Sequence, residues 1–241
     1  MELSQKIADW IKQKVTEARA KGCVLGLSGG VDSAVAALLC QKAFPKETRA
    51  LILPCHSLSE DIKAAQDFAK KFALQAKVID LTMAFETLYI ALEGKTYKDE
   101  MDLPIANLKP RLRMLTLYYF ANKMNYLVVG TGNRSELTMG YFTKYGDGGV
   151  DILPLGDLLK AEVNKLAAEL GVPREIIDKA PSAGLWAGQT DEGEMGITYA
   201  ELDKILSGEL KDISQETIGL VKGREALSRH KRALPDIFNG R

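Results

Sequence analysis

Near the start of the chain, apolar residues recur at three- and four-residue intervals: Leu3, Ile7, Trp10, Ile11, Val15 and Ala18 stand among Lys, Glu and Gln over residues 2–20. That period predicts an amphipathic helix. At Cys23-Val24-Leu25-Gly26-Leu27 the alternation gives way to a short uninterrupted apolar run, which reads as a buried strand. A glycine-rich turn follows, and the apolar stretch over 34–44 reads as a buried helix that stops before Pro45. The unit then repeats. Residues 49–54 are strand-like, and Ser59-Glu60-Asp61 supplies an N-cap and an acidic first turn for a helix reaching 72. A third strand is expected over 76–80 and a helix over 82–92, followed by a long polar connection over 93–107 that carries Gly94 and Pro104. Pro110 suits the first turn of a helix running to 124, and Tyr126-Leu127-Val128-Val129-Gly130 is a fourth buried strand.

Strands alternating with helices predict an α/β fold, a parallel twisted sheet with helices on both faces. Beyond the fourth strand, a helix with an acidic start is expected over 157–170, ended by Gly171 and Pro173. Residues 181–197 are rich in glycine and are expected to be mobile, a candidate lid. Two further helices, over 198–206 and 213–229, lead to the basic cluster Arg229-His230-Lys231-Arg232.

Composition narrows the class. With 241 residues, 46% hydrophobic and 27% charged, the chain can bury a core and reads as a single domain over 1–241. Lys and Arg number 32, as do Asp and Glu, so no global field favours nucleic acid or an anionic membrane and any anionic ligand must be met by local charge. No apolar run approaches the roughly 20 residues of a membrane-spanning helix. The N-terminus lacks the layout of a signal peptide, and Cys23, Cys40 and Cys55 lie in apolar segments without C-x-x-C spacing. Buried reduced thiols in a cytoplasmic protein are expected. His56 and His230 are too few for a histidine-rich zinc site.

The chemistry concentrates after the first strand. Gly26-Leu27-Ser28-Gly29-Gly30-Val31-Asp32-Ser33 places small residues and hydroxyls where a strand hands over to a helix. Backbone N–H groups can converge there on phosphate oxygens, aided by the helix N-terminus. Asp32 would repel phosphate alone, and makes most sense if magnesium bridges it to the anion. The Walker and G-x-G-x-x-G patterns are absent. Gly26-Leu27-Ser28-Gly29-Gly30 does satisfy G-x-S-x-G, the nucleophile elbow of serine hydrolases, with His230 late enough to complete a triad. Against that reading stand the lack of an HGGG-type oxyanion segment and the absence of any role for Asp32.

Ser28-Gly29-Gly30-Val31-Asp32-Ser33 resembles the pyrophosphate loop of the N-type ATP pyrophosphatases. Two later clusters sharpen the likeness: Gly130-Thr131-Gly132-Asn133-Arg134-Ser135-Glu136, after the fourth strand, and the run over 140–151, with four glycines, Lys144 and two aspartates. Together they resemble the ammonia-dependent NAD synthetases over nearly the whole chain, 26–231. The resemblance implies an ATP site of Gly26, Leu27, Ser28, Gly29, Gly30, Val31, Asp32, Ser33, Thr131, Lys160 and Ser182. It implies magnesium ligands Asp32 and Glu136, and a deamido-NAD site of Arg111, Lys144, Asp151, His230 and Lys231. Two departures stand out: the family often has Thr where Ser182 stands, and Pro110 replaces the more usual Ala beside Arg111.

The implied reaction is ATP-dependent amidation of deamido-NAD by ammonia through an adenylated carboxylate, with Mg2+ and no protein nucleophile. At 241 residues the chain accommodates the synthetase domain without the glutaminase domain some members carry, so free ammonia is the expected donor. The family is homodimeric, and the Trp10 and Ile11 face of the first helix suits either such an interface or the core. The alternatives are another ATP-pyrophosphatase-type amidotransferase, a serine hydrolase acting through Ser28, and a nucleotide-binding module without turnover.

Overall fold

A strand buried on both faces needs a helix layer on each side, and the computed structural model, which describes residues 2–98, 102–186 and 188–240, supplies both. In chain order the elements are α1 (Leu3–Glu17), β1 (Gly22–Gly26), α2 (Val31–Ala43), β2 (Thr48–Ile52), α3 (Ser59–Lys71), β3 (Ala76–Val78), α4 (Thr82–Glu93), α5 (Leu103–Ala106), α6 (Leu108–Met124), β4 (Tyr126–Val128), α7 (Arg134–Met139), α8 (Lys160–Glu169), α9 (Arg174–Ile177), α10 (Asp191–Met195), α11 (Tyr199–Ser207) and α12 (Gln215–Leu227). A 3-10 turn, Arg229–Lys231, follows.

The four strands are parallel in the order β3-β2-β1-β4. Successive residues of a strand face opposite layers. Cys23, Leu25, Ala50 and Ile52 enter one core with α1, α2, α3 and α8, whereas Val24, Leu51, Leu53 and Val128 enter the other with α4 and α6. Ile11 is fully buried in the first core, so it is a packing residue, while Trp10 beside it is exposed. A third cluster, built from Met139, Met195, Ile197, Tyr199, Leu202 and Val221, joins α7 to the C-terminal helices. Cys23, Cys40 and Cys55 are buried free thiols. Among the described residues no helix is long and apolar enough to cross a membrane.

Several boundaries differ from the sequence expectation for local reasons. The helix expected from Ala34 begins at Val31, because Gly30, extended at φ −91°, already serves as its N-cap. The helix expected from Asp157 begins at Lys160, where the Glu162 carboxylate accepts the Leu159 N–H at 2.8 Å. Pro110 fits the first turn of α6, where its missing N–H would have had no helical partner. Residues 99–101 and 187, within the expected connection over 93–107 and the expected lid over 181–197, lie outside the described residues. Part of that lid is ordered. Residues 191–195 form α10, and Met195 and Ile197 are buried in the third cluster.

Candidate active site

The strand order reverses direction between β1 and β4, the switch point at whose carboxyl end open parallel sheets bind ligands. The loop after β1 ends in α2 and delivers Asp32, and the loop after β4 ends in α7 and delivers Glu136.

The first loop is held by its own hydroxyls. Ser33 Oγ donates to the Gly30 carbonyl at 2.9 Å, accepts the Ser28 N–H at 3.2 Å and lies 3.0 Å from Ser28 Oγ. Gly29 has φ +88°, and a Cβ there would fall 2.7 Å from the Asp61 carbonyl oxygen, so only glycine lets the loop pass this close to α3. Ser28 therefore bonds within its own loop, while His230 Nδ1 lies 3.5 Å from Lys144 Nζ. A Ser28–His230 triad is not assembled.

Asn133 joins the two loops. Its Nδ2 donates to Asp32 Oδ1 at 2.9 Å, its N–H donates to Glu136 Oε2 at 3.0 Å, and its Oδ1 accepts the Glu136 N–H at 3.0 Å. The capping box of α7 thus doubles as the bridge between the carboxylates. Lys160, buried at the first position of α8, places Nζ 2.5 Å from Asp32 Oδ2. Burial works against its charge, but Asp32 and then Glu136 outweigh that and raise its pKa above the ordinary lysine value. Burial, and next the Asp32 carboxylate, push the Glu136 carboxyl up to about 8.

Three residues that sequence reasoning missed complete the frame. Asp203 of α11 accepts the Ser135 hydroxyl at 2.6 Å and the Ala161 N–H at 2.8 Å, fixing the N-terminus of α8 and with it Lys160. Asp191, at the start of α10, accepts the Tyr199 hydroxyl at 3.0 Å; its other oxygen is buried without a partner, and burial raises its pKa. Lys109, almost fully buried, donates to the Leu185 carbonyl at 2.6 Å and anchors the 181–190 segment. An Asn three positions before Glu136 and an acid after Thr190 are readable as helix starts. Their ties to other elements are not.

One cation, Lys160, thus stands against three carboxylates, Asp32, Glu136 and Asp191. Asp32 and Glu136, bridged and short of positive charge, fit a hard divalent cation, which takes oxygen ligands and often one or two carboxylates plus substrate phosphates. Among the described residues no three His, Cys, Asp or Glu side chains form a metal-holding group. A pH dependence follows. In chelator, the Glu136 pKa stands above its unfolded value, so its contribution to stability is full below the unfolded carboxylate range and is lost as pH rises through about 8. Melting with and without Mg2+ should show the ion stabilising most at the alkaline end, and Glu136→Gln should flatten the difference.

Of the remaining predicted residues, Arg111, Lys144 and His230 lie together, and the others have separate partners. Arg111 Nη2 lies 3.4 Å from the Lys144 carbonyl, and Lys144 neighbours His230. Lys231 donates to the Gly140 and Phe142 carbonyls at 2.8 and 2.9 Å. Gly140 is obligatory here: φ is +64°, and a Cβ would overlap Ser228 at 2.1 Å. Asp151 has both oxygens engaged, by Tyr118 Oη at 2.9 Å and the Val128 N–H at 2.7 Å. Thr131 is half-buried at the end of β4, and Ser182 is exposed, its Oγ accepting the Gly184 N–H at 3.1 Å.

A parallel α/β sheet with a glycine-rich strand-to-helix loop and two bridged carboxylates at its switch point places the chain in the Rossmann-like class of α/β folds. The family model for NAD synthase matches residues 3–235, and the chain belongs to that family. It is 50% identical to an NH(3)-dependent NAD(+) synthetase of Carboxydothermus hydrogenoformans over 98% of this chain and 96% of that one. It is also 50% identical to one of Archaeoglobus fulgidus, over 97% and 94%. Among solved structures, NMN synthetase from Francisella tularensis superposes with a TM-score of 0.91 at 42% identity, covering 98% of this chain and 97% of that one. The NH3-dependent NAD synthetase of Campylobacter jejuni gives 0.81 at 29%, covering 99% and 100%.

Proposed function

We propose that this chain, a C–N bond-forming ligase, amidates deamido-NAD with ammonia at the expense of ATP, releasing AMP and pyrophosphate. The observation that carries the reading is the Asp32–Asn133–Glu136 bridge with Lys160 at the sheet's switch point. In the first step the nicotinate carboxylate attacks the α-phosphorus and pyrophosphate leaves. In the second, ammonia attacks the activated carbonyl carbon, AMP departs with the carboxylate oxygen, and the nitrogen loses a proton. A magnesium ion held by Asp32 and Glu136 would supply charge neutralisation where polyphosphate and carboxylate meet. Lys160, held by Asp32 and fixed through Asp203, meets phosphate charge, and the N–H groups over 28–33 cradle its oxygens. Thr131 and Ser182 complete the nucleotide site. Arg111, Lys144, His230 and Lys231 face the second substrate's phosphates, with Asp151 shaping the end of β4. No side chain needs to act as a covalent nucleophile.

The adenylate must be kept from water. The 181–190 segment serves as the cover, with Lys109 as its anchor. Lys109→Met is expected to uncouple the reaction, so that pyrophosphate release exceeds amide formation severalfold; parallel pyrophosphate and amide assays read the ratio. Deleting all of 181–197 would also remove Met195 and Ile197 from the packed third cluster.

A second reading of the substrate rests on the Francisella protein: nicotinate mononucleotide in place of the dinucleotide. Assay of both acids with ATP, Mg2+ and ammonium decides. Preference for deamido-NAD supports the first reading, preference for the mononucleotide supports the second, and amide from neither overturns both.

The working form is a cytoplasmic homodimer. A groove of about 660 Å³ between β3 and α6, lined by Val78, Ile79, Leu81, Leu115, Tyr119 and Phe120, exposes more apolar surface than the Trp10 region and suits a second copy. Sedimentation should give about twice the chain mass of 26.4 kDa.

A further inference from the structure

Beyond Lys160 lies a cavity of about 230 Å³, lined by Val31 at the start of α2 and by Lys160, Asn164, Lys179, Pro181 and Tyr199. Pockets that enclose a whole drug-sized ligand begin at about 300 Å³. This one is sized for the end of a nucleotide. The first turn of a 13-residue helix and two ammonium groups can meet phosphate there, set against the acidic Asp178 and Glu192 on the same lining.

Both ammonium groups are already held by carboxylates, but the two pairs differ. Lys160 and Asp32 are buried, with side chains 5% and 17% exposed. Lys179 pairs with Asp61 of α3, and these side chains are 38% and 22% exposed. A pair this open to water holds weakly, and water can take over Asp61 when its partner leaves. Asp61 also stands beside the phosphate-binding loop: its carbonyl is the atom a Cβ on Gly29 would strike, and its Oδ2 would lie 4.0 Å from a Cβ on Gly184. The pair therefore ties the 178–184 segment to the loop that cradles phosphate.

We propose that Lys179 is a further phosphate-binding residue and that Asp61 is its internal competitor. Asp61 holds the ammonium group while the site lacks nucleotide, yields it to the terminal phosphates of ATP, and takes it back as pyrophosphate leaves. The inference rests on the ATP-dependent reading above. It also makes a prediction that a purely structural ion pair does not: the two partners' substitutions act in opposite directions on phosphate affinity.

The test is calorimetric binding of Mg-ATP, and separately of inorganic pyrophosphate with Mg2+, to the full chain and its variants. Lys179→Gln should weaken both about tenfold, the scale of one charge-assisted hydrogen bond. Asp61→Asn should tighten both about threefold by releasing the lysine. In the double variant Asp61→Asn should add nothing, and Lys179→Arg should stay within about twofold of the parent. Thermal melting of each variant confirms that it is folded. Weakening by both single variants, or no change in either while the parent binds Mg-ATP, overturns this inference alone. Absence of Mg-ATP binding by the parent chain overturns the functional reading along with it.

Discussion

Lys160→Met should cost about 3–5 kcal/mol of stability at alkaline pH, the scale for removing one member of a buried ion pair. It should also lower the amidation rate by about 10²–10³-fold, as expected for loss of a preorganised charge at a phosphate. The stability loss arises because Asp32, Glu136 and Asp191 would lose the ammonium group that offsets them. It should shrink as pH falls: Lys160 is one of the groups holding the Glu136 pKa down, so its removal lets Glu136 protonate more readily. Melting curves at pH 6 and pH 8.5, set beside steady-state rates, separate the two effects. Equal destabilisation at both pH values would break the link drawn between Lys160 and Glu136.

Asp32→Asn should behave in the opposite way. The variant loses one of the two carboxylates proposed to hold the cation, and activity should fall about 10³-fold, a loss typical of a charge that acts in the transition state. Stability should move by less than about 1 kcal/mol, or roughly 2–4 °C in Tm for a chain of this size. Lys160 keeps Glu136 as a partner, and the like charge that helps raise the Glu136 pKa is gone. A centre that gains little stability from a carboxylate it keeps reflects the usual conflict between function and stability. Raising Mg2+ should partly restore Asp32→Asn and leave Lys160→Met unchanged, which distinguishes loss of cation binding from loss of phosphate neutralisation.

Much of this was legible in the sequence because periodicity and glycine placement are local. The continuous apolar run Cys23-Val24-Leu25 could only be a doubly covered strand, and its helices do lie on both faces of a parallel sheet. Asp32 and Glu136 could be singled out because each sits in the first turn of a helix that follows a strand and a loop of small residues. The frame around them was not. Asn133 reaches Asp32 across 101 positions of sequence, and Asp203 reaches Ser135 across 68, distances over which no pattern of neighbours carries information. The order at the far end of the expected lid was not legible for a similar reason. Glycine content marks a segment as conformationally free, but Met195 and Ile197 are fixed by partners on α7, α11 and α12. Asp157 lay outside its helix because Glu162 caps the N-terminus from within.

In the proposed reaction ATP activates a carboxylate at this centre by forming an acyl-adenylate. Deamido-NAD labelled with 18O in its nicotinate carboxylate, incubated with the enzyme, ATP, Mg2+ and ammonium, tests it directly. One labelled oxygen is expected in AMP for each amide formed, and none in pyrophosphate. Label appearing in pyrophosphate or orthophosphate, or amide formed with unlabelled AMP, would contradict it.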